Sequence, residues 1–522
     1  MLNEHVTKIK IVFSFCVFSI LLAMTSGTLM LRYKKDSIYL SPLYWGMLVD
    51  YLKYKETVAR PDAIASSVSR IPGEKEKYAV SVPVLLYHGI LITPDGSNVV
   101  RNDFEKQMRA LKYAGYETVS IDDFHAFMRG EKKLPEKSFL LTFDDSRKDS
   151  FYPADPLLKA LGFKAVMFVI TKYSILENGS NYYLSKNELG YMLETGRWEL
   201  QTHTRNGHDL YPVSPYGESG HFYSNKLWRT ADKRYETTQE YEKRIYQDFI
   251  DGRNDLMNAF GIQSVSFAFP FGDFAHNNKK FTEAKDFILA YAHKVYPILF
   301  YQTWGGDGFS SNFPDRDQFL LKRLDVHPDW TGEYLLRKME SGQAKNLPFR
   351  EQFKTGELDW IDAWGVFRVI NDSIRLGSTI NTSGGFGFLD GSLLWKNYRM
   401  NIITDLTRGS DIFLVARFKD PQYYVACDFG EDTIKIRQRL RGEEEVIAAV
   451  KSPDTFKGDK KNIHLGIAVN NNSVQCFLNG HTVTSSNHLS RELDHGGVAF
   501  KSWDQTNNNS LTVIKGITVD AL

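Results

Sequence analysis

The sequence SFLLTFDDS at residues 138–146 decides the fold class. Residues 139–143 are mostly apolar and contain no turn residue, which predicts a strand buried in a parallel sheet or barrel. The run ends in two adjacent carboxylates, Asp144 and Asp145. Two like charges side by side are costly to bury unless a cation shares them or one of them is neutral. Because chemistry in a barrel collects where its parallel strands end, this stretch predicts a functional site at that edge.

A second strand of this kind is predicted at residues 198–208, WELQTHTRNGH, where an apolar stretch ends in His203 and His208. Two imidazoles and a carboxylate suit zinc or a similar divalent ion and leave a position open for water. Either motif alone could be an ordinary capped strand end. Together and in this order, they predict a metal site.

Strand-like and helix-like segments alternate about seven times between residue 82 and residue 327. Such alternation indicates a parallel sheet that is closed, or nearly closed, into a barrel. The last two predicted strands are YPILFYQT at residues 296–303 and QFLLKRLDVH at residues 318–327.

These motifs resemble those of the NodB-homology polysaccharide deacetylases, the family-four carbohydrate esterases, whose first motif is TFDDG and whose second is H-T/S-x-x-H. The resemblance extends to PVLLYHGI at residues 83–90, FAFPFG at residues 267–272 and RLDVHPDW at residues 323–330. Five motifs in one order make coincidence improbable. The resemblance implies an α/β fold, a distorted (β/α)7 barrel over residues 80–345, and hydrolysis of N-acetyl groups on a polysaccharide.

By motif position, the resemblance implies that Asp145, His203 and His208 bind a divalent metal, with Zn²⁺ favoured and Ni²⁺ or Co²⁺ as further candidates. Asp144 would be the general base and His327 the general acid that protonates the leaving amine. His327 could instead simply begin the turn at Pro328. The substrate-binding candidates are Pro270, Phe271, Gly272, His88 and Trp304.

Three features depart from the family pattern. Ser146 replaces the usual glycine, the two histidines are five residues apart rather than four, and Ala268 stands where the family often has an arginine. That arginine normally tethers the base, so Ala268 puts the tuning of the pKa of Asp144 in question. PVLLYHGI, the alanine in FAFPFG and the longer histidine spacing resemble the branch that acts on poly-β-1,6-N-acetylglucosamine, a biofilm exopolysaccharide.

Residues 346–522 have a different pattern, in which short alternating segments are separated by turn residues. This predicts an antiparallel all-β sandwich. The run NSVQCFLNGHTV at residues 472–483 resembles concanavalin-like, laminin-G-like jelly rolls, which often bind glycans. A carbohydrate-binding module and a sandwich without any ligand both remain open. Cys427 and Cys476 are a possible pair, but we expect two separately buried thiols.

Residues 11–31 contain no charged residue and, at ~1.5 Å per residue in a helix, just span a ~30 Å hydrocarbon core. We expect an uncleaved transmembrane helix here, with residues 1–10 in the cytoplasm and residues 32–79 forming a juxtamembrane segment and linker. A cleavable signal peptide is the competing interpretation. The other domains are expected on the extracytoplasmic side of a bacterial cell membrane, because the family's substrate is an extracellular glycan.

The chain of 522 residues is too long for one ordinary core, and its formal net charge of +1 gives no basis for nucleic-acid binding. The expected partners are an N-acetylated polysaccharide, the membrane and exopolysaccharide synthesis or export machinery. An inactive glycan-binding or export-scaffold protein is the main alternative. A glycoside hydrolase that uses the acidic cluster at residues 443–445 is a weaker one.

Overall fold

The computed structural model describes residues 53–54, 77–177, 180–276, 278–303, 308–351, 353, 359–409, 411–454, 461–504 and 509–522. The predicted anchor at residues 11–31 and most of the linker at residues 32–79 lie outside the described residues. Among the described residues, no helix is long and apolar enough to cross a membrane.

The first domain is a closed parallel barrel, as predicted. Seven strands form its ring in the order β1-β14-β13-β12-β7-β6-β5, and β5 pairs in turn with β1. The short strand β4 lies beside the start of β5. The strands of this part of the chain are β1 (Val84–Tyr87), β2 (Ile90–Leu91), β3 (Val99–Val100), β4 (Glu117–Thr118), β5 (Ser138–Phe143), β6 (Ala165–Ile170), β7 (Trp198–Thr204), β8 (Leu210–Pro212), β9 (Ser219–His221), β10 (Trp228–Arg229), β11 (Arg234–Tyr235), β12 (Ser266–Ala268), β13 (Ile298–Gln302) and β14 (Leu320–Asp325).

Several helices of this domain begin or end at favourable capping residues. Ser185 and Thr237 each begin a helix with a capping box, and Gly162 and Gly261 each end one in the left-handed conformation. The helices are α1 (Arg101–Tyr113), α2 (Ile121–Met128), α3 (Lys148–Leu161), α4 (Lys186–Glu194), α5 (Thr238–Phe260), α6 (Ala284–Val295) and α7 (Gly332–Ser341). A π-helical turn spans Lys172–Leu176 and a 3-10 turn spans Pro270–Gly272.

The second domain is all-β, as predicted, and its strands pair antiparallel in two sheets. One sheet has the order β17-β18-β29-β20-β25-β26-β27, with β15 also beside β29, and the other has the order β16-β19-β28-β21-β22-β23-β24. The strands are β15 (Phe349–Glu351), β16 (Trp360–Trp364), β17 (Val366–Ile370), β18 (Ser373–Gly377), β19 (Gly384–Leu389), β20 (Tyr398–Arg408), β21 (Asp411–Asp420), β22 (Tyr423–Phe429), β23 (Thr433–Leu440), β24 (Glu443–Lys451), β25 (Ile463–Asn470), β26 (Ser473–Leu478), β27 (His481–Ser486), β28 (Gly497–Trp503) and β29 (Leu511–Ala521).

The expectation of two separate thiols in this domain is wrong, because Cys427 and Cys476 form a disulfide. Cys427 lies on β22 and Cys476 on β26, so the bond joins the two sheets through the core, where both residues are fully buried. Their Cα atoms are 5.7 Å apart. The two residues lie within bonding distance because the two sheets pack in one particular alignment. That alignment cannot be read from the sequence.

The two domains pack against each other through an aromatic cluster. Phe309, from the segment before β14, contacts Phe388 and Phe418 of the sandwich at ring-centroid distances of 5.6 and 6.0 Å. Beside it, Ser310 donates from its backbone N–H and its hydroxyl to the buried Asp390 carboxylate at 3.1 and 2.5 Å.

Candidate active site

The paired carboxylates lie where β5 ends, and the backbone turns sharply there. Asp145 and Ser146 have φ values of 70° and 53°, a left-handed conformation that is uncommon for residues other than glycine. The Ser146 hydroxyl contacts the Asp145 carbonyl oxygen at 2.5 Å and the Ser174 hydroxyl at 2.7 Å. A serine can therefore occupy the position where the family has glycine, because its side chain is hydrogen-bonded in this conformation.

The structure brings Asp145, His203 and His208 together into one cluster. Their ligating atoms all lie within 4.8 Å of one another. Nε2 of His208 is 3.0 Å from Oδ1 of Asp145, and Nε2 of His203 is 3.5 Å from the same oxygen. Nδ1 of His203 lies 2.7 Å from the carbonyl oxygen of Ala268. Because a carbonyl oxygen only accepts, Nδ1 is the donor in this contact, and Nε2 is the ring nitrogen that faces Asp145 and could bind a metal.

The charges of this cluster fit a divalent cation. Oδ1 of Asp145 is buried and accepts no well-directed hydrogen bond from any described residue. Burial alone would raise the pKa of Asp145, but the adjacent imidazoles of His203 and His208 hold it well below its ordinary range. Burial alone would lower the pKa of His208, and Asp145 instead raises it. A metal can take the place of the proton that such a cluster would otherwise share.

Asp144 has a different partner, which the sequence interpretation missed. Both of its carboxylate oxygens accept hydrogen bonds from the Arg323 guanidinium, at 2.5 and 2.7 Å, and both side chains are buried. Burial alone would raise the pKa of Asp144, but Arg323, with a smaller contribution from His203, brings it below its ordinary value. The bidentate pair therefore keeps Asp144 ionised and fixes its orientation.

Arg323 tethers Asp144, which is the role expected of the family arginine that Ala268 replaces. It lies on β14 rather than β12, four residues before His327 in the RLDVHPDW segment. One signal could have identified it, because Leu321 packs inside the barrel and side chains on a strand alternate. Arg323 must then also point inward, where a buried cation requires a carboxylate partner.

Two other predicted site residues, His88 and His327, lie just after β1 and β14 and differ in burial. His88 is half-buried at the end of β1, and its charge contributes to the low pKa of both Asp144 and Asp145. His327 is exposed on the loop after β14, and its ring stacks on Trp330 with centroids 5.4 Å apart.

The PFG turn forms one wall of the site. The ring of Phe271 lies between those of His208 and His221, at centroid distances of 4.6 and 4.4 Å. Pro270 and Gly272 are buried and complete the 3-10 turn that presents this ring. Trp304 lies outside the described residues.

A buried carboxylate on α5, Asp248, organises the loop between the two histidines. It accepts hydrogen bonds from the Thr204 hydroxyl at 2.8 Å, from the backbone N–H groups of Arg205 and Asn206 at 3.2 and 2.8 Å, and from the Tyr223 hydroxyl at 2.5 Å. These bonds accommodate the five-residue histidine spacing. The sequence signal was an acid on the buried stripe of an amphipathic helix.

The comparisons with known proteins agree with this geometry. Residues 131–291 match the family described as polysaccharide deacetylase. The barrel is a polysaccharide deacetylase domain of the NodB type. The poly-beta-1,6-N-acetyl-D-glucosamine N-deacetylase of Staphylococcus aureus (strain MSSA476) is 29% identical over 176 residues, covering 34% of this chain and 54% of that protein. The Escherichia coli (strain K12) protein of the same name is 27% identical over 179 residues, covering 32% of this chain and 27% of that protein.

Among solved structures, a de-N-acetylase from Aggregatibacter actinomycetemcomitans matches the deacetylase domain with 20% identity and a TM-score of 0.42. The match covers 49% of this chain and 98% of that one. The chain thus spans about half the length of the staphylococcal relative and about a quarter of the E. coli relative.

We expect Arg323→Met to lower the free energy of unfolding by about 3–5 kcal/mol at neutral pH, because it leaves a buried carboxylate without its counter-charge. The folded pKa of Asp144 is depressed, so the pair's stabilisation is present above the unfolded pKa of roughly 3.9 and is lost as the pH falls through the folded value. Chemical denaturation at neutral and acidic pH would measure the difference, which should shrink below about pH 4.

Two further variants make this test specific. Asp144→Asn in the Arg323→Met background should recover part of the loss, since it removes the unpaired charge. Arg109→Met breaks only the surface pair with Glu105 and should cost less than about 1 kcal/mol. Equal losses for Arg323→Met and Arg109→Met would contradict the assigned role.

We expect Asp248→Asn to weaken Zn²⁺ binding about 10- to 100-fold, because an amide cannot accept all the hydrogen bonds that hold the histidine loop. Competition with a chromophoric chelator measures this affinity. The matched control is Asp251→Asn on the same helix, since Asp251 bonds Arg205 at 2.8 Å and is more exposed. If both variants bound Zn²⁺ like the unmodified protein, Asp248 would have no positioning role.

Proposed function

We propose that this chain is a membrane-anchored, metal-dependent N-deacetylase of an extracellular amino-sugar polysaccharide of the poly-β-1,6-N-acetylglucosamine type. The observation that carries the proposal is the separation of roles between two adjacent carboxylates. Asp145 belongs to a donor set for a divalent metal, whereas Asp144 is held anionic by Arg323 and remains available as a base. The names of the staphylococcal and E. coli relatives support the substrate class.

Hydrolysis of an acetamido group needs an activated water, a polarised carbonyl and a proton for the departing amine. A metal bound by Asp145, His203 and His208 would lower the pKa of a water towards ~7 and act as a Lewis acid. Asp144 would accept the proton of the attacking water, and Arg323 would keep it in the basic form and aimed at that proton. Phe271 would exclude water from one side of the site.

His327 would return a proton to the amine nitrogen as the carbon–nitrogen bond breaks. Its position after β14 supports this role, because β14 pairs with β1, and β1 pairs with the strand that carries Asp144. Trp330 stacks on the His327 ring and limits its rotation. The product would carry a free amine, which is cationic at neutral pH and would bind anionic surfaces.

The alternative of an inactive glycan-binding or scaffold protein depended mainly on Ala268. With Arg323 paired to Asp144, the missing family arginine no longer favours an inactive barrel. No observation in the described part of the chain favours the acidic cluster at residues 443–445 as a hydrolase site, since its side chains lie on an exposed strand.

Acetate release from poly-β-1,6-N-acetylglucosamine by the full chain in detergent tests the proposal. We expect release that a chelator abolishes and Zn²⁺ restores. Asp144→Asn should lose at least about 10²-fold in kcat while still binding the metal, because it removes only the base. Asp145→Asn should lose both the metal and the activity, and Asp251→Asn serves as the unaffected control.

Metal binding without acetate release from this or any other N-acetylated glycan would overturn the proposed activity and favour the binding-protein alternative. Release only from another N-acetylated polymer would retain the chemistry and change the substrate.

For the location, the Cys427–Cys476 disulfide supports an oxidising compartment outside the cytoplasm. We expect both thiols to be protected from an alkylating agent when the protein is taken from intact cells, and to react after reduction. Mass spectrometry of the peptides measures this. Full alkylation before reduction would contradict an extracytoplasmic sandwich.

A further inference from the structure

A groove with a volume of about 470 Å³ lies between the barrel and the sandwich. Trp330, Tyr334 and Arg337 line it on the barrel side, and Ile361, Asp362 and Arg368 line it on the sandwich side. Its volume is within the range of about 300–1,000 Å³ that is usual for ligand sites. Neither domain could form this groove alone.

On the barrel side, the groove begins at Trp330, which contacts the proposed general acid His327. Trp330 stacks on His327 at a centroid distance of 5.4 Å, and its ring lies tilted against that of Tyr334 at 5.1 Å, so three rings lead from the proposed general acid into the groove. The Trp330 carbonyl oxygen accepts a hydrogen bond from Gln107 Nε2 at 2.7 Å, and its N–H bonds the His327 carbonyl oxygen at 3.2 Å. Trp330 and Tyr334 are both half-buried, so they offer fixed ring surfaces of the kind on which sugar rings stack.

The sandwich supplies polar groups on the opposite wall. Among the described strands, β16 and β17 are the terminal strands of their sheets, so each has one edge of backbone N–H and C=O groups outside the ladder of described strands. The guanidinium of Arg368 bonds the Asp362 carboxylate at 2.6 Å, which holds both groups in place at the groove. Such groups match the hydroxyl and amide groups of an N-acetylated sugar.

The charge of the lining distinguishes between acetylated and deacetylated sugars. Among the described residues, the groove has three cationic side chains, Arg337, Lys338 and Arg368, and one carboxylate, Asp362. Glu333 lies 3.8 Å from Arg337 and offsets part of this excess. A net positive lining disfavours the ammonium group of a deacetylated unit and tolerates a neutral acetamido group.

From these observations we propose that the groove is a distal subsite for a stretch of polysaccharide that still carries its N-acetyl groups. The sandwich then acts in catalysis by holding the polymer while one unit reaches the metal site. This inference rests on the proposed deacetylase function and adds a specificity for chain length and acetylation.

The first test measures kcat/KM of the full chain on β-1,6-N-acetylglucosamine oligomers from dimer to hexamer. The unmodified protein should gain about tenfold in kcat/KM with length, as units reach the groove. Arg368→Ala and Tyr334→Ala should lose this gain and keep their activity on the dimer. Arg350→Ala is the control, because Arg350 is an exposed arginine on β15 that does not line the groove.

The second test measures binding of the fully acetylated and the fully deacetylated hexamer by calorimetry, and it needs no turnover. The unmodified protein should bind the acetylated hexamer about tenfold more tightly than the deacetylated one. The Arg368→Ala variant should lose this preference. Arg368 lies on a terminal strand, so we expect its replacement to leave the fold intact.

The outcomes separate the two proposals. Acetate release with the same length dependence in all variants would overturn the subsite and leave the deacetylase function in place. No acetate release, with Arg368-dependent hexamer binding, would overturn the function and retain the groove as a glycan site. Equal binding of both hexamers by the unmodified protein and by Arg368→Ala would overturn the groove proposal.

Discussion

The site depends on the buried ion pair between Asp144 and Arg323. Two carboxylates adjacent in sequence, at the end of a fully buried strand, cannot both remain ionised without two separate sources of positive charge. Arg323 supplies one source with a bidentate contact, and the imidazoles of His203 and His208, or a metal bound there, would supply the other. Without Arg323, burial would favour the neutral form of Asp144, and a neutral acid cannot take a proton from water. The arginine is thus a condition for the proposed division of roles.

Closure of the barrel brings these groups together. Arg323 and Asp144 are 179 positions apart in sequence, and they meet because β1 pairs with both β14 and β5. The imidazoles come from the other side of β5, on and just after β7, with β6 between the two strands. A ring of seven strands is small enough for side chains from both directions to converge on one strand end. An open sheet would separate the arginine from the carboxylate by the full width of the sheet.

Much of this architecture could be predicted from the sequence, because apolar runs that end in charged or ligating residues report on burial and strand direction directly. The closed parallel barrel, the all-β second domain and a metal site at the strand ends follow from such local patterns, whereas the seven strands and the choice of Asp145 as the ligand follow from the family resemblance. The role of Arg323 does not, because it depends on strand register and on which side chains face inward. The Cys427–Cys476 bond required the relative position of two sheets, and Asp248 required the docking of α5 on the histidine loop. Each missed contact is non-local, so the local pattern around Arg323 or Asp248 can indicate that the residue is buried but cannot identify its partner.

A deacetylase of this kind changes the charge of its own polymer. Each turnover replaces a neutral acetamido group by an amine that is protonated at neutral pH, so a processed stretch becomes cationic while an unprocessed stretch stays neutral. A groove lined by Arg337, Lys338 and Arg368 would release the first and retain the second. A processed stretch that moved from the metal site into the groove would be repelled there, so the units next to it would be held poorly and would be poor substrates. The spacing of amines along the product would then reflect the distance between the metal site and the groove. Deacetylation would stop before completion because the groove repels cationic polymer, and not because kcat is low.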